Sequence, residues 1–191
     1  MPRWRTIDIV VASVIAVAFG VIFWAWNLVW ATTEAAFMFF PPAQTSIYGV
    51  WMIPAVLGSL IIRKPGAALY CETLAATVSA MLGSEWSVML IVQGLVQGAG
   101  AEVAFAAFRY RTFRLPVALL AGALAGLGAA IFDFFVWTVH YALFAYRIPY
   151  AAITIASATL IAGAGGLLLT RSLARTGVLD RFPAGRERAA I

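Results

Sequence analysis

Six long apolar runs, parted by short polar turns, restrict this chain to helices that cross a membrane. The runs cover about 7–30, 46–62, 66–82, 87–108, 115–144 and 150–173. An α-helix needs about 20 residues to span a hydrocarbon core of about 30 Å. A transmembrane β-barrel would instead show alternating segments of about 10 residues. With 63% hydrophobic residues, a soluble domain of 191 residues could not hide its apolar surface. The expected fold class is all-α: one polytopic six-transmembrane-helix bundle over 1–175, then a polar, basic tail over 176–191. The second run is short and carries Pro54, which predicts a kink. The run 115–144 is long enough for two half-helices or a strong tilt.

The basic residues orient the bundle. Apart from Arg147, they fall at Arg3 and Arg5, the turns 63–64 and 109–114, and the segment 171–188. By the positive-inside rule these segments, and with them both termini, are cytoplasmic. The loops 31–45, 83–86 and 145–149 are then external. The placement reflects topology in a lipid bilayer and not a nucleic-acid surface. Although Arg3 and Arg5 precede an apolar run as in a signal peptide, no small-x-small cleavage site follows. The run reads as a retained first helix, and the chain as a multi-pass protein of the inner (plasma) membrane.

Three acids sit inside apolar runs: Glu72, Glu102 and Asp133. A carboxylate near the bilayer centre costs at least about 2.5–3.5 kcal/mol, so each marks a functional site by default. No Lys or Arg shares those runs. Each acid must therefore be protonated, bonded to polar neighbours, or waiting for a cation.

Helical spacing sorts the remaining polar residues. A continuous helix over 115–144 puts Asp133, Trp137, His140 and Phe144 on one face, with Ala130, Ala129, Gly126 and Gly122 continuing it inward. The run 66–82 sets Glu72 in a stripe of small residues, Ala68, Ala76, Ser79 and Gly83. In 87–108, Gln93 and Gln97 share a face with Trp86, and Glu102 lies on a rotated face with Gly94 and Gly98. One small ligand is not expected to touch both Gln93 and Glu102. Tyr150, Thr154 and Ser157 add a polar face, and Trp26, Asn27 and Trp30 close the outer end of the first helix.

Carboxylates and tryptophans suit an organic cation, and amides suit a heteroaromatic ring. The candidate ligand-binding set is Glu72, Gln93, Gln97, Glu102, Asp133, Trp137, His140, Asn27, Tyr150 and Thr154. Interhelical hydrogen bonds and an ordinary aromatic belt are the competing roles. Ala12, Ala16 and Gly20 repeat at four-residue spacing, which lets another backbone approach closely, from a partner or from within the bundle. Cys71 is single and forms no internal disulfide.

Several chemistries find no motif. There is no GxxxxGK[ST], and Lys64 is the only lysine, so the chain is not expected to hydrolyse ATP. There is no HExxH, paired Cys/His set or GxSxG, which leaves no expected metal, cofactor or enzymatic activity.

With these features the chain resembles the substrate-binding (S) component of an energy-coupling factor (ECF) vitamin transporter. Trp24-Ala25-Trp26-Asn27, Arg63-Lys64-Pro65-Gly66-Ala67-Ala68, Gly83-Ser84-Glu85-Trp86 and Gln97-Gly98-Ala99-Gly100-Ala101-Glu102 most resemble the YkoE type. The resemblance implies a binder of thiamin or its hydroxymethylpyrimidine precursor. It also implies a separate transmembrane coupling protein and two cytoplasmic ATPases as partners. Ala12, Ala16 and Gly20 would then be the coupling face, and 31–45, with Pro41 and Pro42, an external lid. The excess of acids favours thiamin, which carries a permanent charge. Two rivals stand beside this reading: a stand-alone proton-coupled carrier for a small organic cation, using Glu72, Glu102 or Asp133 as relay, and a structural membrane protein without a ligand.

Overall fold

The computed structural model describes residues 3–83 and 88–189, so Ser84, Glu85 and Trp86 of the expected outer loop and motif lie outside it. The described residues form helices and turns, with no strand. In chain order they are α1 (Thr6–Thr33), a 3-10 turn (Glu34–Phe37), a 3-10 helix (Pro41–Met52), α2 (Ile53–Ile62), α3 (Ala67–Met81), α4 (Met89–Ala107) and α5 (Leu115–Val136). A π-helical turn (Leu143–Arg147), α6 (Ile148–Ser157), a π-helical stretch (Ala158–Gly165), α7 (Gly166–Arg175) and α8 (Pro183–Ala189) follow.

Five helical stretches are long and apolar enough to cross a membrane: Thr6–Phe37, Pro41–Ile62, Met89–Ala107, Leu115–Val136 and Leu143–Arg175. The expected sixth, α3, has 15 residues. That is about 22 Å of helix, short of a full hydrocarbon core. It packs between α1 and α4 inside the bundle.

Several expected boundaries move for identifiable reasons. Residues 41–45 are not loop: Pro41 and Pro42 start the 3-10 helix, where a missing N–H costs nothing. Pro54 does not kink a continuous helix but lies in the first turn of α2. α5 ends at Val136 and not near 144. There the Asp133 carbonyl accepts three bonds, from the N–H groups of Trp137 and Thr138 at 2.9 and 2.8 Å and from Thr138 Oγ1 at 3.1 Å. That local bonding closes the helix. The expected helix over 150–173 lies within one helical stretch, Leu143–Arg175, whose middle, Ala158–Gly165, is π-helical. The expected polar tail folds back, burying Leu179 and Phe182 against Leu57, Ile61, Ile62 and Ala174.

Small residues permit the close packing that positions the site. A Cβ on Gly122 would stand 2.4 Å from the Ala158 carbonyl oxygen, and one on Gly126 would stand 2.8 Å from Ala158 Cβ. α5 and the last span therefore meet nearly backbone to backbone. Gly49 brings the 3-10 helix equally close to Ser157, since a Cβ there would lie 2.5 Å from the Ser157 carbonyl. The Gly49 N–H donates to Ser157 Oγ at 2.9 Å, and that hydroxyl donates to the Ser46 carbonyl at 2.8 Å.

The basic segments converge on one end of the bundle. Trp4 Nε1 donates to the Pro65 carbonyl at 2.9 Å. Lys64 Nζ donates to the Arg3 carbonyl at 2.6 Å and pairs with Asp8. Arg63 lies over the Phe113 ring, 4.6 Å from its centre. Asp8 is a fourth acid within an apolar run, which the count of three passed over. It is buried, and it also pairs with Arg5 at 2.9 Å.

Glu102 is at this end too. Its carboxylate accepts the N–H groups of Gly66 at 2.6 Å and Ala68 at 2.9 Å, capping the start of α3. The Tyr110 hydroxyl donates to it at 2.7 Å. Burial and that bond hold the Tyr110 hydroxyl well above the usual phenol range, so it remains a donor. Glu102→Ala is expected to destabilise the protein by about 2–3 kcal/mol, because it strands the Gly66, Ala68 and Leu69 N–H groups at a helix start. Thermal unfolding in detergent would register this as a lowered Tm, with ligand affinity changed by less than about threefold.

Candidate ligand-binding site

At the opposite end from the basic turns, the structure has an open cavity of about 670 Å³, mouth included. α1 contributes Phe23, Asn27 and Trp30 to its walls, the 3-10 helix Tyr48 and Trp51, and α3 Glu72 and Ala76. α4 contributes Leu90, Gln93 and Gln97, the turn after α5 contributes Trp137, and α6 contributes Tyr150.

The 3-10 geometry explains how two of these aromatics arrive together. Three residues per turn eclipse positions i and i+3, so Thr45, Tyr48 and Trp51 lie on one edge. Trp30 meets them from α1. The ring centres of Trp30 and Trp51 are 5.1 Å apart, those of Tyr48 and Trp51 5.1 Å, and those of Trp30 and Tyr48 5.8 Å. All three residues line the cavity, and an aromatic face is a place where a cation can bind.

The three acids resolve differently. Glu102 serves as the cap described above. Asp133 is buried behind the cavity wall and bonded to polar neighbours: the Tyr48 and Tyr150 hydroxyls each donate to Oδ2 at 2.8 Å, and Gln93 Nε2 donates to Oδ1 at 2.8 Å. Glu72 lines the cavity and is half satisfied. Its Oε2 accepts the Ala55 N–H at 3.0 Å, one of the N–H groups left open at the start of α2. Its Oε1 is buried with no hydrogen-bond partner among the described residues. A buried polar atom without a partner calls for an explanation, and a ligand donor supplies one.

Of the ten candidate residues, the structure brings Glu72, Gln93, Gln97, Asn27, Tyr150 and Trp137 to one cavity. Asp133 stands behind them. Thr154 is buried, does not line the cavity, and leaves Oγ1 unbonded among the described residues. Glu102 lies at the other end. His140 is exposed on the turn that follows α5, so the expected face shared by Asp133, Trp137, His140 and Phe144 does not exist.

Ala12, Ala16 and Gly20 are not a free face: all three are buried within the bundle. Cys71 Sγ donates to the Ala12 carbonyl at 3.7 Å, and Gly20 packs on Val78 and the Ala75 carbonyl. In this conformation α3 covers the stripe and excludes a partner helix.

Tyr48 and Trp51 were absent from the expected set because the run 46–62 was expected only as a short span with a kink at Pro54, with no face assigned to its aromatics. The three-residue spacing Thr45–Tyr48–Trp51 was the available signal.

Comparison with known proteins agrees with the fold. Residues 7–128 match a family model described as "ABC-type cobalt transport system, permease component". The HMP/thiamine permease protein YkoE of Bacillus subtilis is 40% identical over 189 residues, 98% of this chain and 93% of that protein. A crystal structure of an S-component of an ECF transporter superposes with a TM-score of 0.92 at 38% identity, covering 98% of this chain and 94% of that one. An all-helical membrane bundle, full-length similarity and a matching solved fold lead to one conclusion: the chain is an integral membrane protein belonging to the YkoE-type family of ECF transporter S components.

Proposed function

We propose that the chain is the substrate-binding subunit of an ECF-type transporter in the inner membrane, and that its ligand is thiamin or hydroxymethylpyrimidine. The observation that carries this reading is the pairing, in one cavity, of an unpartnered Glu72 oxygen with the aromatic cluster of Trp30, Tyr48 and Trp51. The cluster suits a cationic or heteroaromatic ring. Glu72, Gln93 and Gln97 suit the edge of an aminopyrimidine. The name of the Bacillus subtilis relative points the same way.

A bare metal ion fits the same walls poorly. Beside one carboxylate the cavity offers amides and aromatic rings, and no three His, Cys, Asp or Glu side chains come together among the described residues.

The rest of the topology follows from the charge rule. The basic end faces the cytoplasm with both termini, α3 serves as a short sixth span, and the cavity opens outward. A separate coupling protein and two ATPases energise import. The 3-10 helix, with Pro41 and Pro42 at its start, covers the outer side as a lid.

Isothermal titration calorimetry of the purified, detergent-solubilised protein tests the ligand, with thiamin and hydroxymethylpyrimidine as titrants. Saturable binding of either below about 1 μM is the expected result, and no heat from both would remove the assignment. In proteoliposomes containing this chain alone, an imposed pH gradient is expected to drive no thiamin accumulation. Uphill uptake there would establish the proton-coupled carrier instead.

A further inference from the structure

Asp133 does not line the cavity, yet three of its walls converge on it: the 3-10 helix through Tyr48, α4 through Gln93 and α6 through Tyr150. Building on the aminopyrimidine ligand proposed above, we infer that Asp133 is a positioning residue that sets the hydrogen-bond polarity of the cavity. By holding Gln93 Nε2 it turns Gln93 Oε1 to the ligand, so that the site selects an N–H donor over a carbonyl.

A carboxylate only accepts hydrogen bonds, whereas an amide has one end that donates and one that accepts. Gln93 Nε2 donates to Asp133 Oδ1 and also to the Tyr48 hydroxyl oxygen, so both of its hydrogens have partners on the protein. A flipped amide would press a carbonyl oxygen against a carboxylate oxygen. Tyr48 is fixed by the same logic: having accepted from Gln93, it donates to Asp133 Oδ2, where Tyr150 also donates. The Gln93 atom left for a ligand is the acceptor Oε1.

Glu72 lines the same cavity, and its Oε1 is a second acceptor with no hydrogen-bond partner among the described residues. Gln97 lines the cavity between them and can turn either end of its amide. The complementary ligand edge carries N–H groups, as an exocyclic amino group on a heteroaromatic ring does. A ring with an oxo group at that position would set acceptor against acceptor.

Calorimetry with thiamin and oxythiamin, the analogue with an oxo group in place of the pyrimidine amino group, tests the inference. The wild-type protein is expected to prefer the amino form by about 100-fold, the discrimination that buried hydrogen-bonding groups impose when left unpaired. In Asp133→Asn, the side-chain oxygen stays with the two phenols and its NH2 faces Gln93, whose amide then turns Nε2 to the cavity. The preference should fall below about 10-fold. A merely structural role would weaken both ligands together and leave their ratio unchanged.

Should Asp133→Asn fail to fold, Gln93→Met removes the acceptor while keeping side-chain length, and the same fall in ratio is expected. Tight but equal binding of both ligands by the wild type would overturn the inference and leave the proposed function standing. So would an unchanged ratio in a folded variant. Failure of the wild type to bind either ligand would overturn both.

Discussion

Glu72→Gln is expected to weaken thiamin binding by about 1,000-fold while leaving the empty protein as stable as before, or more so. Glutamine keeps the length of the side chain and an oxygen for the Ala55 N–H, now met by Glu72 Oε2 at 3.0 Å. What changes is the group beside it, where an NH2 replaces Oε1, which has no hydrogen-bond partner among the described residues. The ligand loses a charge-assisted bond and meets an unpaired donor. The two effects together are worth about 4 kcal/mol, or about 1,000-fold in Kd. The empty protein, in contrast, no longer buries a carboxyl group, which is the costlier of the two to remove from water. Calorimetry and thermal unfolding on the same preparation read both arms. A purely structural Glu72 predicts a shifted Tm and no change in ligand binding, so affinity within about threefold of wild type would remove Glu72 from the site.

The division between what the chain shows as sequence and what it does not follows physical lines. Hydropathy runs locate the long spans, since each comes close to or passes the bilayer requirement by itself. Gly122 and Gly126 are legible as close-packing positions because small residues at helical spacing have few other uses in a membrane. Of the three acids, Glu72 lines the cavity and Asp133 stands behind its wall, while Glu102 lies at the other end. Their separate roles are decided by partners distant in sequence: Gly66 and Ala68 for Glu102, Tyr48 and Gln93 for Asp133, Ala55 for Glu72. No local pattern carries that information.

Helix type is the second loss. A 3.6-residue period projected past Val136 gave His140 a place it does not have. Residues 41–45, expected as loop, start the 3-10 helix that carries Tyr48 and Trp51. The small stripe on α1 shows a third limit: Ala12, Ala16 and Gly20 announce close approach of a backbone, but not whose. Here the backbone is that of α3.

Trp51→Ala is expected to separate the two candidate ligands. Trp51 touches both Trp30 and Tyr48, with ring centres 5.1 Å away in each case, so its loss opens the aromatic cluster and leaves only the Trp30–Tyr48 contact. Thiamin carries a permanent positive charge, and a desolvated cation over an indole is worth about 2 kcal/mol beyond the contact area. Hydroxymethylpyrimidine is neutral and loses stacking alone. Thiamin affinity should fall about 100-fold and that of hydroxymethylpyrimidine about 10-fold, with most of both recovered in Trp51→Phe. Calorimetry is the suitable readout, because the substitution also removes a fluorescent reporter. Trp51 packs against the apolar core on both sides of the cavity, so the unfolding midpoint will drop as well. A general loss of order at the site would weaken both ligands by the same factor. The unequal loss is therefore the signature of a cation held against the rings, and equal losses would move the charged ring away from Trp51.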